Sequence, residues 1–351
     1  MKLNKQYKEE FMKLTKKLVS ILTTAALVAS LTACGSDSGS GSSSGSVSSS
    51  GSNATSKKYT IGICQLVEHE ALDEATRGFK EALTEKLGEG NVEFDEQNAQ
   101  GEATNCSTIT NGFVTSNVDL IMANATGALQ AATQATADIP ILGTSITDYG
   151  TALNVKDWTG KTGTNVSGTS DLAPIEQQED MILELYPNVK KVGIIYCSSE
   201  PNSAYQSEVM MKALDEDKIE YKEYTAADSN EIQTVTTTAC NECDVLYIPT
   251  DNTMASSAET IKNVVIPAGI PVIAGEAGLC AAGVATLSIS YYSIGRKTGE
   301  MAYEILVNNK KPGDMEIEFA DTFTKMYNEE NCKALNLTVP EDYEKLEVAA
   351  E

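Results

Sequence analysis

A pattern of short apolar segments occurs twice along this chain, and the repetition limits the possible folds more than any other feature. Residues 61–64 match residues 192–195, and the two segments start 131 positions apart. Residues 139–143 match residues 270–274 at the same offset of 131, and a third pair between them is offset by 125. Ordered self-similarity at a nearly constant spacing is typical of a duplicated structural unit. The sequence therefore predicts two similar lobes.

Each copy of the repeat alternates short strands with helices. In the first copy, the predicted strands cover residues 59–65, 92–96, 118–123 and 140–143, and the predicted helices cover 71–87, 103–114 and 128–137. Such βαβ alternation predicts a parallel sheet with helices on both faces. The predicted fold class is α/β, with two Rossmann-like lobes joined by a multi-strand hinge.

Two candidate crossings, at residues 162–169 and 284–290, place the boundaries of the lobes. We expect residues 58–165 plus 284–312 to form the first lobe, and residues 166–283 plus 313–346 to form the second. A hinge of several crossings creates a cleft that can close on a small molecule.

The N-terminal segment has the composition of an export signal. Six lysines precede an apolar run over residues 18–31, which is short for a membrane span of roughly 20 residues. The run ends in Leu31-Thr32-Ala33-Cys34, which resembles the lipobox of bacterial lipoproteins. We expect residues 1–33 to be a lipoprotein signal peptide and Cys34 to carry the lipid; an ordinary signal peptide with an incidental cysteine is the alternative.

The Gly/Ser-rich linker of residues 34–57 follows directly. Such a composition behaves as a flexible coil, with a reach on the order of 25 Å for a segment of this length. The predicted location is the extracytoplasmic face of a cell membrane, with the lipid anchor as the membrane contact.

Charge and cysteine content restrict the partners further. The formal net charge is −24, and it becomes −28 without the six lysines and two glutamates of residues 1–33. So acidic a chain is not expected to bind nucleic acid. After Cys34, seven cysteines remain, an odd number that cannot pair completely. Cys240 and Cys243 have the spacing of a zinc motif or a local disulfide, but the single histidine and the absence of a second CxxC favour no metal site.

Polar residues follow the predicted strands at positions where an open parallel sheet binds ligands. The candidate ligand-binding residues of the first lobe are Gln65, Glu68, His69, Asn124, Thr126, Gly127, Ser145, Thr147 and Asp148. Those of the second lobe are Ser198, Ser199, Asn202, Thr250, Asp251, Asn252 and Glu276. Hydroxyls and free N–H groups at helix starts suit a carboxylate, while Asp251 or Glu276 could hold an ammonium group. The alternative for each of them is an ordinary helix N-cap.

Other residue types argue against catalysis and against an arginine clamp. The two arginines, Arg77 and Arg296, fall inside predicted helices, so hydroxyls and amides are expected to hold a ligand carboxylate. His69 is the single histidine, and no nucleophile motif accompanies it. Phosphate-loop and dinucleotide fingerprints are also absent from the sequence, so we expect no cofactor.

Several segments together resemble a known family. Gln65-Leu66-Val67-Glu68-His69-Glu70-Ala71-Leu72-Asp73, Asn124-Ala125-Thr126-Gly127-Ala128, Ser145-Ile146-Thr147-Asp148 and Ser290-Tyr291-Tyr292-Ser293-Ile294-Gly295 are similar to segments of the tryptophan/tyrosine-type substrate-binding lipoproteins of ABC transporters. The resemblance runs from about residue 58 to residue 346.

This resemblance implies a type I periplasmic-binding-protein fold that closes on a small ligand, without catalysis and without a cofactor. It implies an aromatic amino acid as the ligand, and an ABC permease with its ATPase as partners. It also adds Tyr291 to the candidate ligand contacts. Two other functions remain open at this point: a sensor subunit for a membrane signalling protein, and an enzyme that uses Asp251, Glu276 or His69.

Overall fold

The computed structural model describes residues 57–156 and 158–347. The predicted signal peptide, Cys34 and nearly all of the linker lie outside the described residues. The elements of the first half, in chain order, are β1 (Tyr59–Gln65), α1 (Glu70–Leu87), β2 (Val92–Asn98), α2 (Ala103–Ser116), β3 (Leu120–Asn124), α3 (Thr126–Ala135), β4 (Ile141–Ile146), α4 (Tyr149–Leu153) and β5 (Val166–Ser170).

The second half repeats the alternation and then adds short terminal elements. In chain order these are α5 (Ile175–Leu185), β6 (Lys191–Cys197), α6 (Pro201–Asp217), β7 (Glu220–Ala226), α7 (Ile232–Cys240), β8 (Val245–Ile248), α8 (Asn252–Ala255), α9 (Ala258–Ala268), β9 (Val272–Ala274), β10 (Ala285–Ser288), α10 (Tyr291–Leu306), β11 (Glu318–Phe319), β12 (Thr324–Tyr327), α11 (Glu329–Ala334) and β13 (Glu344–Lys345).

Two sheets confirm the predicted pair of α/β lobes. The first sheet has the order β11-β5-β4-β3-β1-β2, and the second has the order β13-β12-β10-β9-β8-β6-β7. The order β2-β1-β3-β4-β5 in the first lobe is therefore repeated as β7-β6-β8-β9-β10 in the second. Pairing is parallel throughout the first sheet, and in the second only β12, which pairs with β10, runs antiparallel to its neighbour among the described strands.

The sheets place the crossings between the lobes later than the sequence predicted. Residues 166–170 belong to the first sheet, residues 285–288 belong to the second, and residues 318–319 return to the first. The three crossings are thus residues 171–174, 289–290 and 320–323. The predicted boundaries at 165/166 and 283/284 precede the first two crossings by five residues, and the boundary at 312/313 precedes the third by seven.

Crowding around β5 explains why its sequence gave no strand signal. A Cβ on Gly168, whose φ is +146°, would lie 2.0 Å from the carbonyl oxygen of Gly143 and 2.3 Å from the Tyr149 hydroxyl. The strand therefore carries the small residues Val-Ser-Gly-Thr-Ser instead of an apolar run. A strand of small and polar residues resembles a loop when only its sequence is considered.

Helices α1 and α10 cross at backbone contact on the first lobe. A Cβ on Gly295 would lie 2.0 Å from the carbonyl oxygen of Ala75, and one on Gly78 would lie 2.2 Å from that of Tyr292. The apolar side chains Phe79, Leu83 and Met301 beside this crossing are buried in the core of the sheet. Glycines therefore allow α10, which follows the second crossing, to dock on the first lobe.

All seven described cysteines are free thiols, and Cys240 and Cys243 are among them. Within residues 57–156 and 158–347, no cluster of three or more His, Cys, Asp or Glu side chains could hold a metal ion. Among the helices of these residues, none has the length and apolarity to cross a bilayer.

Candidate ligand-binding cleft

The strand ends bring most of the predicted polar residues together between the two lobes. Ten are buried: Gln65, Asn124, Thr126, Ser145, Thr147, Asn202, Asp251, Asn252, Glu276 and Tyr291. Four are half-buried: His69, Gly127, Asp148 and Thr250. Glu68, Ser198 and Ser199 are exposed, so the structure does not place their side chains in the closed interior.

Three buried polar atoms at the ends of β3, β4 and β5 lack a hydrogen-bond partner in the described part of the chain. They are Asn124 Oδ1, Ser145 Oγ and Asp171 Oδ1. An unsatisfied buried polar atom destabilises the fold by about 1–3 kcal/mol unless a ligand or water supplies the missing partner. Three such atoms on neighbouring strand ends are candidates for contacts with polar groups of a ligand.

Asp171 is the residue that the sequence analysis missed. It lies at the start of the first crossing, is 4% exposed, and accepts a hydrogen bond from the Tyr291 hydroxyl at 3.0 Å through Oδ2 only. Burial raises the pKa of Asp171 to about 6, and the hydroxyls of Thr147 and Tyr291 partly oppose that rise. Because the sequence analysis assigned β5 to a crossing, Asp171 was not recognised as a residue at a strand end.

Asp251 and Glu276, the predicted ammonium ligands, already use both carboxylate oxygens within the second lobe. Asp251 accepts from the N–H groups of Met254 and Cys197 at 2.8 and 2.7 Å. Glu276 accepts from the N–H groups of Gly278 and Leu279. Burial raises the pKa of Asp251 to about 8 and that of Glu276 to about 7. These carboxyl groups order their own loops, which favours Asp171 as the ammonium ligand.

Several other predicted residues also have structural partners. The Gln65 amide donates to Asp73 at 2.6 Å and accepts from the Thr76 hydroxyl at 2.6 Å. Asp148 caps α4 by accepting from Thr151 N–H at 2.6 Å, as expected of an N-cap. The Asn202 amide and the Thr250 hydroxyl donate to backbone carbonyls of the second lobe. The polar groups of these side chains thus already have partners within their own lobes.

Backbone strain occurs at the same strand ends. Ala125 has a φ of 84° and Ser145 has a φ of 55°, values that are uncommon for residues other than glycine. Ala125 precedes α3, whose N-terminus has no side-chain cap. Strained conformations cluster at ligand sites, and uncapped N–H groups at a helix start attract a carboxylate.

A cavity of about 570 Å³ opens between the lobes near the starts of α3 and α8, and Asn124, Ser145 and Asp171 are not among its lining residues. Its apolar lining includes Leu66, Val67, Ala131 and Pro201. Its polar lining includes Gly127, Gln130, Ser199, Glu200, Asn202, Asn252 and Thr253. Its volume lies within the range of roughly 300–1,000 Å³ that is usual for small-molecule sites.

Both arginines lie outside this cleft, as predicted. Arg77 pairs with Glu74 and Glu81, and Arg296 pairs with Glu85, all on the outer face of α1 and α10. A ligand carboxylate in the cleft would therefore meet amides, hydroxyls and helix N–H groups.

Comparison with known proteins identifies the family to which this fold belongs. The family described as ABC transporter substrate binding protein matches residues 60–350. This chain belongs to the ABC transporter substrate-binding protein family. The binding protein is thus a non-enzymatic solute-binding component of a transporter, with the two-lobed architecture of type I periplasmic-binding proteins.

Individual relatives of the binding protein span nearly the whole chain. A tyrosine-binding protein of Clostridioides difficile (strain R20291) is 37% identical over 327 residues, covering 92% of this chain and 93% of the relative. An ABC domain from Streptococcus pneumoniae in complex with L-Trp is 30% identical with a TM-score of 0.79, covering 82% of this chain and 99% of that one.

A ligand-free, open substrate-binding protein with adhesive properties from Clostridium difficile differs more in shape. The two proteins are 36% identical, and the alignment covers 98% of that chain and 82% of this one, but the TM-score is 0.63. The lobes of the binding protein are therefore arranged more like the L-Trp complex than like the open structure, although the open protein has the higher identity.

Proposed function

We propose that this protein captures an aromatic amino acid, L-tryptophan, L-tyrosine or L-phenylalanine, in the interlobe cleft and delivers it to an ABC permease driven by its ATPase. Family membership supports the transport role. The relatives named for tyrosine binding and solved with L-Trp support an aromatic amino acid as the ligand.

The free oxygen of Asp171 carries this proposal. A buried carboxylate without a cationic partner among the described residues requires a cation, and an amino acid supplies an ammonium group. Asn124 Oδ1 and Ser145 Oγ are further unused polar atoms on adjacent strand ends, and the uncapped start of α3 offers N–H groups to the carboxylate.

The cavity near the starts of α3 and α8 is the proposed location of the aromatic side chain. Its apolar wall includes Leu66, Val67 and Pro201, and its volume accommodates an indole or phenol ring. The side-chain oxygen of Gln130 in its polar lining can accept a hydrogen bond from a phenol hydroxyl or an indole N–H, since Gln130 Nε2 already donates to the Ala152 carbonyl.

A thermal-shift series against the twenty amino acids tests the proposal. A ligand with a micromolar Kd, present at millimolar concentration, should stabilise the protein by about 4 kcal/mol. We expect L-tryptophan, L-tyrosine or L-phenylalanine to raise the Tm more than any aliphatic or charged amino acid. A larger shift with an aliphatic amino acid would contradict the ligand class, and no shift with any amino acid would contradict the binding role.

We propose further that Cys34 is lipidated and that residues 34–57 tether the protein to the membrane. The lipobox-like sequence before Cys34 and the Gly/Ser composition after it support this anchor. The Cys34→Ala protein should move from the membrane fraction to the soluble fraction while its amino acid Kd stays unchanged. Retention of the variant in the membrane fraction after high-salt washing would contradict a lipid anchor.

A further inference from the structure

A hydrogen bond crosses the cleft from the start of α1 to the start of α8. His69 Nε2 in the first lobe lies 3.3 Å from Asn252 Oδ1 in the second. His69 occupies the N-cap position of α1, with φ −165° and ψ 161°, but its side chain makes no capping hydrogen bond. The imidazole is therefore free to reach the opposite lobe.

The orientation of Asn252 is fixed by Glu200 behind it. Asn252 Nδ2 and N–H donate to Glu200 Oε2 at 2.7 and 3.1 Å, and Thr253 N–H donates to the other carboxylate oxygen at 2.8 Å. With its Nδ2 used in this way, Asn252 presents its carbonyl oxygen to His69. The imidazole must then donate through Nε2–H, and burial, which lowers the pKa of His69, favours the neutral ring.

A second contact joins the lobes one residue further along α1. A Cβ built on Gly278 of the second lobe would lie 3.3 Å from the Glu70 Cβ. The first turn of α1 thus lies against the loop that follows β9, where a side chain at position 278 would crowd Glu70. Hydrogen bond and packing together define one docking point between the lobes.

Asn252 and Glu200 also line the 570 Å³ cavity. We propose that the His69–Asn252 hydrogen bond, supported by the Glu70–Gly278 contact, is a latch that holds the lobes closed and limits the rate of ligand release. This inference rests on the proposed function for its ligand, but the closed arrangement itself can be measured without one.

Stopped-flow dissociation of L-tryptophan and L-tyrosine tests the latch. We expect His69→Ala and Asn252→Ala each to raise the dissociation rate about tenfold, with the association rate nearly unchanged. Because both remove the same bond, the double variant should release ligand no faster than either single variant. His69→Gln, whose side-chain amide can donate in place of Nε2–H, should retain much of the slow release.

Asn308→Ala is the matched control, since it removes an exposed asparagine beyond the far end of α10, where the side chain bonds only Glu304. Its dissociation rate should equal that of the unaltered protein. Unchanged dissociation rates in both single variants, or additive effects in the double variant, would overturn the latch.

Small-angle scattering of the ligand-free proteins separates the latch from the proposed function. Gly278→Val should force α1 away from the second lobe, and His69→Ala should weaken their contact, so both should have a larger radius of gyration than the unaltered protein. Identical scattering curves would overturn the latch whatever ligand binds. Failure of L-tryptophan and L-tyrosine to bind the unaltered protein, with the scattering difference present, would reject only the proposed ligands.

Discussion

Replacing Asp171 by asparagine should weaken the binding of L-tryptophan or L-tyrosine about 100-fold. Removing one partner of a buried, hydrogen-bonded charge pair reduces binding by about 2–5 kcal/mol. Asparagine preserves the shape of the side chain and can still accept from the Tyr291 hydroxyl, so the fold should be retained. Isothermal titration calorimetry of both proteins measures the difference.

Two variants control this experiment. Asp119→Asn makes the same change beside the amino end of β1, where the carboxylate accepts from Thr60 N–H, and should leave the ligand Kd unchanged. Glu276→Gln alters the other buried carboxyl group close to Asp171. A larger loss of affinity in Glu276→Gln than in Asp171→Asn would show that the ammonium group binds Glu276 instead.

The same residue gives the affinity a pH dependence of defined sign. Burial raises the pKa of Asp171 in the ligand-free protein to about 6, whereas an ammonium group requires the ionised carboxylate. Protons therefore compete with the ligand below about pH 6, and the affinity should fall toward about tenfold per pH unit there. Above pH 7 this contribution should vanish. In Asp171→Asn it should be absent at every pH, even though Glu276 and Asp251 still titrate.

Gly295→Ala should cause the largest loss of stability of any single methyl addition at the α1–α10 crossing. The new Cβ would lie 2.0 Å from the Ala75 carbonyl oxygen, an atom of the helix backbone that cannot turn aside. Overpacking of this kind costs about 3 kcal/mol, which corresponds to a fall in Tm of roughly 6–12 °C. Differential scanning calorimetry provides the measurement.

Gly112→Ala is the matched control for this substitution. Gly112 lies within α2, is exposed, and has no atom within 4 Å of the position that a Cβ would occupy. Alanine there should stabilise the protein by about 0.5–1 kcal/mol, because glycine is a poor helix former. Equal Tm changes in the two variants would contradict the close crossing of α1 and α10.

The repeat was sufficient to predict both lobes, because buried strands such as β1 and β6 consist largely of apolar residues and are therefore recognisable in the sequence. The crossings were harder to place. In β5, small residues are required by the nearby Gly143 backbone and Tyr149 ring, and these neighbours come from elsewhere in the sequence. Because β5 consists mainly of small residues, it lacks the alternation of apolar and polar residues by which a strand is recognised in a sequence.

The candidate site was predicted at the level of loops and less well at the level of side chains. The strand-end loops were expected at the cleft, and the structure brings them there. Whether a carboxylate faces a ligand or its own loop depends on N–H groups a few residues away, as at Asp251 and Glu276. The amino-acid sequence alone does not reveal which of these two partners a carboxylate has. Asp171 differs from both because its Oδ1 has no such donor among the described residues.

Asp171 and Tyr291 are joined by a hydrogen bond, although Asp171 begins the first crossing between the lobes and Tyr291 directly follows the second. Both residues lie near the hinge between the lobes, where a rotation of one lobe against the other displaces atoms least. We therefore expect the proposed ammonium site to keep its shape while the remote end, at His69 and Asn252, separates more. On this arrangement a ligand could bind Asp171 before the contact between His69 and Asn252 forms.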